Sequence, residues 1–130
     1  MADGGRVARR ILVVDDSGAF RRTAATLLAL RGYELLATAR DGRAAIEAAS
    51  RDCPDGVLLD VNLPDWDGFA VARALAAVCP AVRIVLTSAD VEDVPAAELA
   101  RCHAAAFVPK DELGVVDLTR WFGRDGRCRQ

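Results

Sequence analysis

Five residues carry the chemistry this sequence can do. Asp15 and Asp16 are adjacent acids, Asp60 is a third, Thr87 offers a hydroxyl, and Lys110 is the only lysine of the chain. Two unit charges about 4 Å apart repel by roughly 4 kcal/mol at an effective dielectric near 20. Three carboxylates brought together must therefore take up protons or bind a cation. An all-oxygen donor set with open positions suits Mg²⁺, which keeps several waters and favours phosphate ligands. A lysine then neutralises a phosphate as a mobile point charge, and a threonine hydroxyl donates to a phosphoryl oxygen. The set is a kit for in-line phosphoryl transfer to a carboxylate, in which positioning and charge neutralisation do most of the work. Singly, each piece has a plainer reading: an N-cap for Asp15 and Asp16, a turn starter for Asp60, a helix cap for Thr87, a solvated lysine for Lys110. The chemical reading requires that the fold bring them to one place.

The elements that must do so alternate along the chain. The aliphatic run Ile11 to Val14 ends in Asp15 and Asp16, and Ser17 offers an N-cap to a helix carrying Phe20, Ala24, Leu27 and Leu28. Gly32 is a helix stop. Tyr33 to Thr38 reads as a second strand, and Asp41 opens a second helix with small faces at Ala44, Ala45, Ala48 and Ala49. Val57 to Leu59 is a third strand, ending in Asp60. The loop from Asn62 to Gly68 is rich in turn residues, and a helix from about Phe69 to Val78 follows. Val82 to Leu86 is a fourth strand, ending at Thr87 and Ser88. Pro95 suits the first turn of a fourth helix reaching about His103, which reads as an ordinary helix-end residue. Ala105 to Val108 is a fifth strand, ending near Lys110, and a last helix is expected from Asp111 or Glu112 to about Phe122, with Trp121 and Phe122 packing it on the core. Glu92 and Asp93 read as a solvated helix start.

Five βα units in a row imply an α/β fold, a parallel sheet with helices on both faces. Ligands of such sheets bind at the carboxyl ends of the strands. Four of the five strand ends here carry the residues named above.

The bulk properties agree. The chain has 130 residues, room for one domain. Its 52% hydrophobic content supports a packed core, and a formal charge of −2 does not favour nucleic acid, whose binders need a basic field. No apolar run approaches the roughly 20 residues of a membrane span, and none resembles a signal peptide, so a cytoplasmic location is expected. Cys53, Cys79, Cys102 and Cys128 form no CxxC pair and no zinc pattern, and in a reducing compartment all four are expected as free thiols.

Four segments resemble the receiver domains of bacterial two-component response regulators: Ile11-Leu-Val-Val-Asp-Asp-Ser17, Asp60-Val-Asn-Leu-Pro-Asp-Trp-Asp-Gly68, Ile84-Val-Leu-Thr-Ser88 and Phe107-Val-Pro-Lys110. The likeness covers about Arg10 to Phe122, and the Asp60 to Gly68 loop is its most specific piece. It implies a flavodoxin-like (βα)5 fold with strand order 2-1-3-4-5. By the same resemblance residues 1–9 are an N-terminal segment, 10–123 the receiver domain and 124–130 a tail. Asp60 is then the phosphoacceptor. Asp16 and Asp60 ligate Mg²⁺ through side chains, the backbone carbonyl of Asn62 adds a third protein ligand, and Asp15 acts mainly through metal-bound water. Lys110 pairs with the phosphoryl group. Thr87 moves toward it, and Phe107, at the position of the family's aromatic switch residue, turns inward.

The resemblance further implies a histidine kinase or phosphotransfer protein as donor, a downstream protein as target, and signalling through the face of helix 4, strand 5 and helix 5, with phosphorylation-dependent homodimerisation left open. It implies no enzyme beyond self-catalysed phosphotransfer and autodephosphorylation, no direct nucleic acid and no membrane insertion. The sequence departs from the family in Asp111 after Lys110, where Lys-Pro is common, in Ser88 where Ala or Gly is usual, and in Ala104-Ala105-Ala106 before Phe107. Two other readings stay open: a receiver-like interaction module that is never phosphorylated, and a haloacid-dehalogenase-like phosphatase. The latter requires Asp-x-Asp after the first strand, where this chain has Asp15-Asp16-Ser17.

Overall fold

The computed structural model describes residues 9–89 and 96–123. Its elements are β1 (Arg10–Val14), α1 (Gly18–Leu30), β2 (Glu34–Ala39), α2 (Gly42–Arg51), β3 (Gly56–Asp60), α3 (Gly68–Val78), β4 (Arg83–Ser88), α4 (Ala96–Arg101), β5 (Ala106–Pro109) and α5 (Thr119–Phe122). All strand pairs are parallel, and the order is β2-β1-β3-β4-β5, as expected.

Side chains alternate across a strand, so each strand feeds two cores. Leu12, Val14, Val57, Leu59, Ile84 and Leu86 pack on one face against Ala45 and Ala49 of α2 and Val71, Ala72 and Leu75 of α3, with Leu99 of α4 partly buried against them. Ile11, Val13, Leu58, Val85 and Val108 pack on the other against Ala24 and Leu28 of α1 and Phe122 of α5. Every residue of β3 is buried. Burying one Leu or Ile side chain stabilises the fold by about 1.5–3 kcal/mol, so the central strands are well fixed.

The helix ends follow the local chemistry. Ser17 Oγ accepts from Phe20 N–H at 3.1 Å, and Asp41 Oδ1 from Ala44 N–H at 2.8 Å. Past α1, Gly32 takes φ 89°, a left-handed turn that glycine adopts at no steric cost. The chain leaves α4 at His103 with φ 65°.

Two expectations are corrected. The continuous last helix from Asp111 or Glu112 is absent: a 3₁₀ turn at Lys110–Glu112 is followed by turns, and helix resumes only at Thr119–Phe122. The Arg31 guanidinium donates to the carbonyls of Gly114 (2.7 Å) and Val116 (3.0 Å), the acceptors a helix through this stretch would use. Asp117 then accepts from the Thr119 N–H and hydroxyl and starts a fresh turn. The second correction concerns the cysteines. Cys53 and Cys79 are joined in a disulfide with Cα atoms 5.7 Å apart, whereas Cys102 is free and buried. Cys128, Pro95, Glu92, Asp93 and most of the segments 1–9 and 124–130 lie outside the described residues.

Candidate phosphoacceptor site

The carboxyl edge of the sheet gathers the residues named from the sequence. β1 delivers Asp15, fully buried, and Asp16, exposed. β3 ends in Asp60, only 4% exposed, and Asp60 pairs in register with Thr87 of β4. β5 ends at Pro109, opposite Ser88, which brings Lys110 to the same edge. Lys110 Nζ lies 2.7 Å from Asp15 Oδ2 and 3.6 Å from Asp60 Oδ2. One carboxylate oxygen from each of Asp15, Asp16 and Asp60 lies within 4.8 Å of the others.

Each group is held by its surroundings. Asp15 Oδ1 accepts from Ser17 N–H at 2.9 Å, so the acid and the helix cap form one turn. Asp60 Oδ1 accepts from Asn62 N–H at 3.1 Å, and Asn62 Nδ2 donates to Ser88 Oγ at 3.3 Å. The Lys110 ammonium sits 4.5 Å from the centre of the Phe20 ring, a cation–π contact that restrains its long stem. Phe107 is half-buried against the α2–α3 core.

Electrostatically the cluster is short of positive charge, with one ammonium facing three carboxylates. Burial pushes the Asp60 carboxyl above its ordinary range, and neighbouring Asp15 and Asp16 push it further; the Asn62 N–H and Lys110 act the other way. Thr87 Oγ1 is a buried hydroxyl with no hydrogen-bond partner among the described residues. Such a group is costly unless something polar meets it. Both features fit a divalent cation with a phosphoryl group: hard oxygen donors for the metal, and a donor hydroxyl for a phosphoryl oxygen. Asp16, Asn62, Asp65, Trp66 and Asp67 line one depression of about 400 Å³ beside the cluster.

Sequence reasoning missed three contributors. Phe20 was only a helix residue of α1, and Ser88 only a departure from a pattern. Asp65 was one acid among several in a turn-rich loop, yet its Oδ1 accepts from Gly42 N–H at 2.9 Å and its Oδ2 from Arg43 N–H at 3.0 Å, tying the loop to the start of α2. No local pattern signals that contact, because α2 and the loop meet only in three dimensions.

Fold and site together define a doubly wound parallel α/β domain with an acidic, lysine-bearing centre at its switch-point edge. The model of the response regulator receiver domain matches residues 11–118, and the chain belongs to that family, the phosphoryl-accepting modules of two-component signalling. It is 34% identical over 111 residues to a protein-glutamate methylesterase/protein-glutamine glutaminase of Archaeoglobus fulgidus, covering 85% of this chain and 32% of that protein. It is 29% identical over 104 residues to the chemotaxis protein CheY of Bacillus subtilis, covering 80% of this chain and 87% of CheY. Among solved structures, the signal receiver domain of the putative response regulator NarL from Mycobacterium tuberculosis aligns with TM-score 0.74 at 34% identity, over 81% of this chain and 86% of that one. The chain spans a quarter to a third of the length of several larger curated relatives. No helix among the described residues is long and apolar enough to cross a membrane.

Proposed function

We propose that Asp60 accepts a phosphoryl group from a phosphohistidine of a histidine kinase or phosphotransfer protein, with Mg²⁺ held by Asp15, Asp16, Asp60 and the Asn62 carbonyl. The metal, when bound, supplies the charge that lets an anionic nucleophile and an anionic phosphoryl group meet. The Asp60 carboxylate attacks phosphorus, the N–P bond breaks, and the imidazole leaves. Lys110, already within reach of Asp60, transfers its pairing to a phosphoryl oxygen. The buried Thr87 hydroxyl donates to another, and Phe107 follows it inward. The signal then leaves by protein contact through α4, β5 and α5. The receiver unit is residues 10–123, the setting cytoplasmic, and the only catalysis the domain's own phosphotransfer and autodephosphorylation.

The observation that carries this reading is the convergence of Asp15, Asp60 and Lys110 at ion-pair distances, with the buried Thr87 hydroxyl, unpartnered among the described residues, one strand away. The test is intact mass after incubation with acetyl phosphate, with and without Mg²⁺, for wild type and Asp60→Asn. A gain of one phosphoryl mass that needs both the metal and Asp60 is expected. A folded protein whose Trp66 emission responds to Mg²⁺ but which gains no mass from acetyl phosphate or from a phosphorylated histidine kinase is an interaction module instead.

A further inference from the structure

The opposite, amino-terminal edge of the sheet carries a second chemical feature. Cys53 lies in the turn between α2 and β3, and Cys79 caps the end of α3; the bond between them spans 26 residues of sequence. The two cysteines differ in access. Cys53 is exposed, whereas Cys79 is 3% exposed. Both line a cleft of about 530 Å³ whose other walls include Arg9, Arg83, Arg120 and Asp55. The Asp55 carboxylate already accepts from Arg10 N–H at 2.8 Å, and Asp52, next to Cys53, is paired with the Arg10 guanidinium at 2.8 Å. The exposed guanidinium groups of Arg83 and Arg120 outnumber the one carboxylate in the cleft wall and make it attractive to anions.

We propose that Cys53 and Cys79 are a reversible dithiol–disulfide site, oxidised by exchange with a small carboxylate-bearing disulfide that docks in this cleft. The exposed Cys53 thiolate attacks one sulfur of the incoming disulfide, whose bond breaks; one small thiol leaves and takes up the proton Cys53 gave up. The Cys79 thiolate then attacks the Cys53 sulfur of the mixed disulfide and expels the second small thiol, which takes the Cys79 proton. Two protein thiols are oxidised and one small disulfide is reduced to two thiols. Excess small thiol runs the sequence backward. Exposed protein disulfides are the ones that exchange readily, and Cys53 is the exposed residue of this pair. The site is remote from Asp60, so its behaviour is read without phosphorylation.

Glutathione disulfide is the probe. The fully reduced protein is mixed with it, unreacted thiols are alkylated, and peptides are mapped by mass. Expected is a Cys53–Cys79 linked pair lighter by two hydrogens, reopened by excess glutathione under native conditions. Cys79→Ser should stop at a glutathione adduct on Cys53. Reversing charge at exposed Arg83 and Arg120 together (R83E/R120E) should slow oxidation by about tenfold at low salt, and slow oxidation by the cationic disulfide cystamine not at all. A bond in the folded wild-type protein that resists excess glutathione would overturn reversibility. A wild-type reaction that halts at the Cys53 adduct would overturn the role of Cys79, and an exchange rate indifferent to R83E/R120E would overturn docking in the cleft.

Discussion

The Lys110 ammonium is held nearer to Asp15 than to Asp60, at 2.7 Å against 3.6 Å. Asp15 is fully buried, so this ion pair is its charge compensation. Removing one partner of a buried pair costs about 3–5 kcal/mol because the other charge is stranded. Lys110→Ala should therefore lower stability by about 3 kcal/mol in metal-free buffer. Mg²⁺ should restore much of it, since the cation replaces the missing charge. Urea melts with and without Mg²⁺ read both quantities. The variant should still bind Mg²⁺ but no longer change partner affinity on phosphorylation. Wild-type stability without metal would show that Lys110 does not compensate Asp15.

Asp60→Asn should abolish phosphorylation and also stabilise the metal-free fold near neutral pH. The carboxyl of Asp60 is pushed up by burial, so between its ordinary value of 3.8 and its folded value the native state holds a proton that the unfolded chain releases. Stability contributed by the protonated form is thus lost as pH rises through that window. The amide has no such loss and keeps an oxygen for the Asn62 N–H. The stability gap between variant and wild type should open as pH rises above about 4 and close in stronger acid, measured by melts in chelator. A variant less stable than wild type at pH 7 would contradict the desolvation account.

Much of this site was legible because its parts sit at strand ends. Aliphatic runs ending in Asp15, Asp60, Thr87 and Lys110 are local patterns, and parallel topology brings such ends together without further information. What was not legible depended on contacts distant in sequence. The last helix looked continuous until Arg31, 83 residues before Gly114, claimed its carbonyls. The cysteine pair looked like free thiols because only the packing of α2 and α3 on one face brings Cys53 beside Cys79. Asp65 looked like a turn residue because its role is to cap another element.

Gly68→Ala should be disruptive despite its small size. A Cβ there would run into Val61 Cα and would lie 2.7 Å from the Asp60 carbonyl oxygen and 2.8 Å from that of Val61. All three are backbone atoms of Asp60 and Val61, and they have no rotamer to escape into. A destabilisation of about 1–3 kcal/mol is expected, with phosphorylation slowed because the Asp60–Asn62 turn must shift. Denaturant melts and acetyl phosphate labelling rates check the two effects, and a silent substitution would mean the α3 start has slack.

Reducing the Cys53–Cys79 bond should cost stability wherever its redox equilibrium lies. The closed loop spans 26 residues and contains β3, the acid loop and α3. Chain-entropy arguments give about 3–4 kcal/mol for a loop of that size. Melts of the oxidised protein, the reduced protein and Cys53→Ser should place the last two together and the first above them. Equal midpoints for all three would show that the bond constrains little in the unfolded chain.

Asp65 offers the sharpest separation of loop and helix. The first three N–H groups of α2 have no partners within the helix, yet all are met by carboxylates: Asp65 takes Gly42 and Arg43, and Asp41 takes Ala44. The Gly42 N–H, with Arg43 behind it, holds the Asp65 carboxyl below its ordinary value of 3.8. A depressed carboxyl contributes stability that is present above the unfolded value and lost as pH falls through the folded one. Asp65→Ala should cost about 1 kcal/mol near neutral pH, less at high salt because the group is exposed, and nothing in acid below both values. Asp65→Asn, which keeps one acceptor oxygen, should lose less. The loop bearing Asn62 and Trp66 should also loosen, so Asp65→Ala should need more Mg²⁺ to reach half its Trp66 emission change. If stability falls while the Mg²⁺ response stays put, Asp65 serves α2 alone and the loop is held by the Asn62–Asp67 bridge.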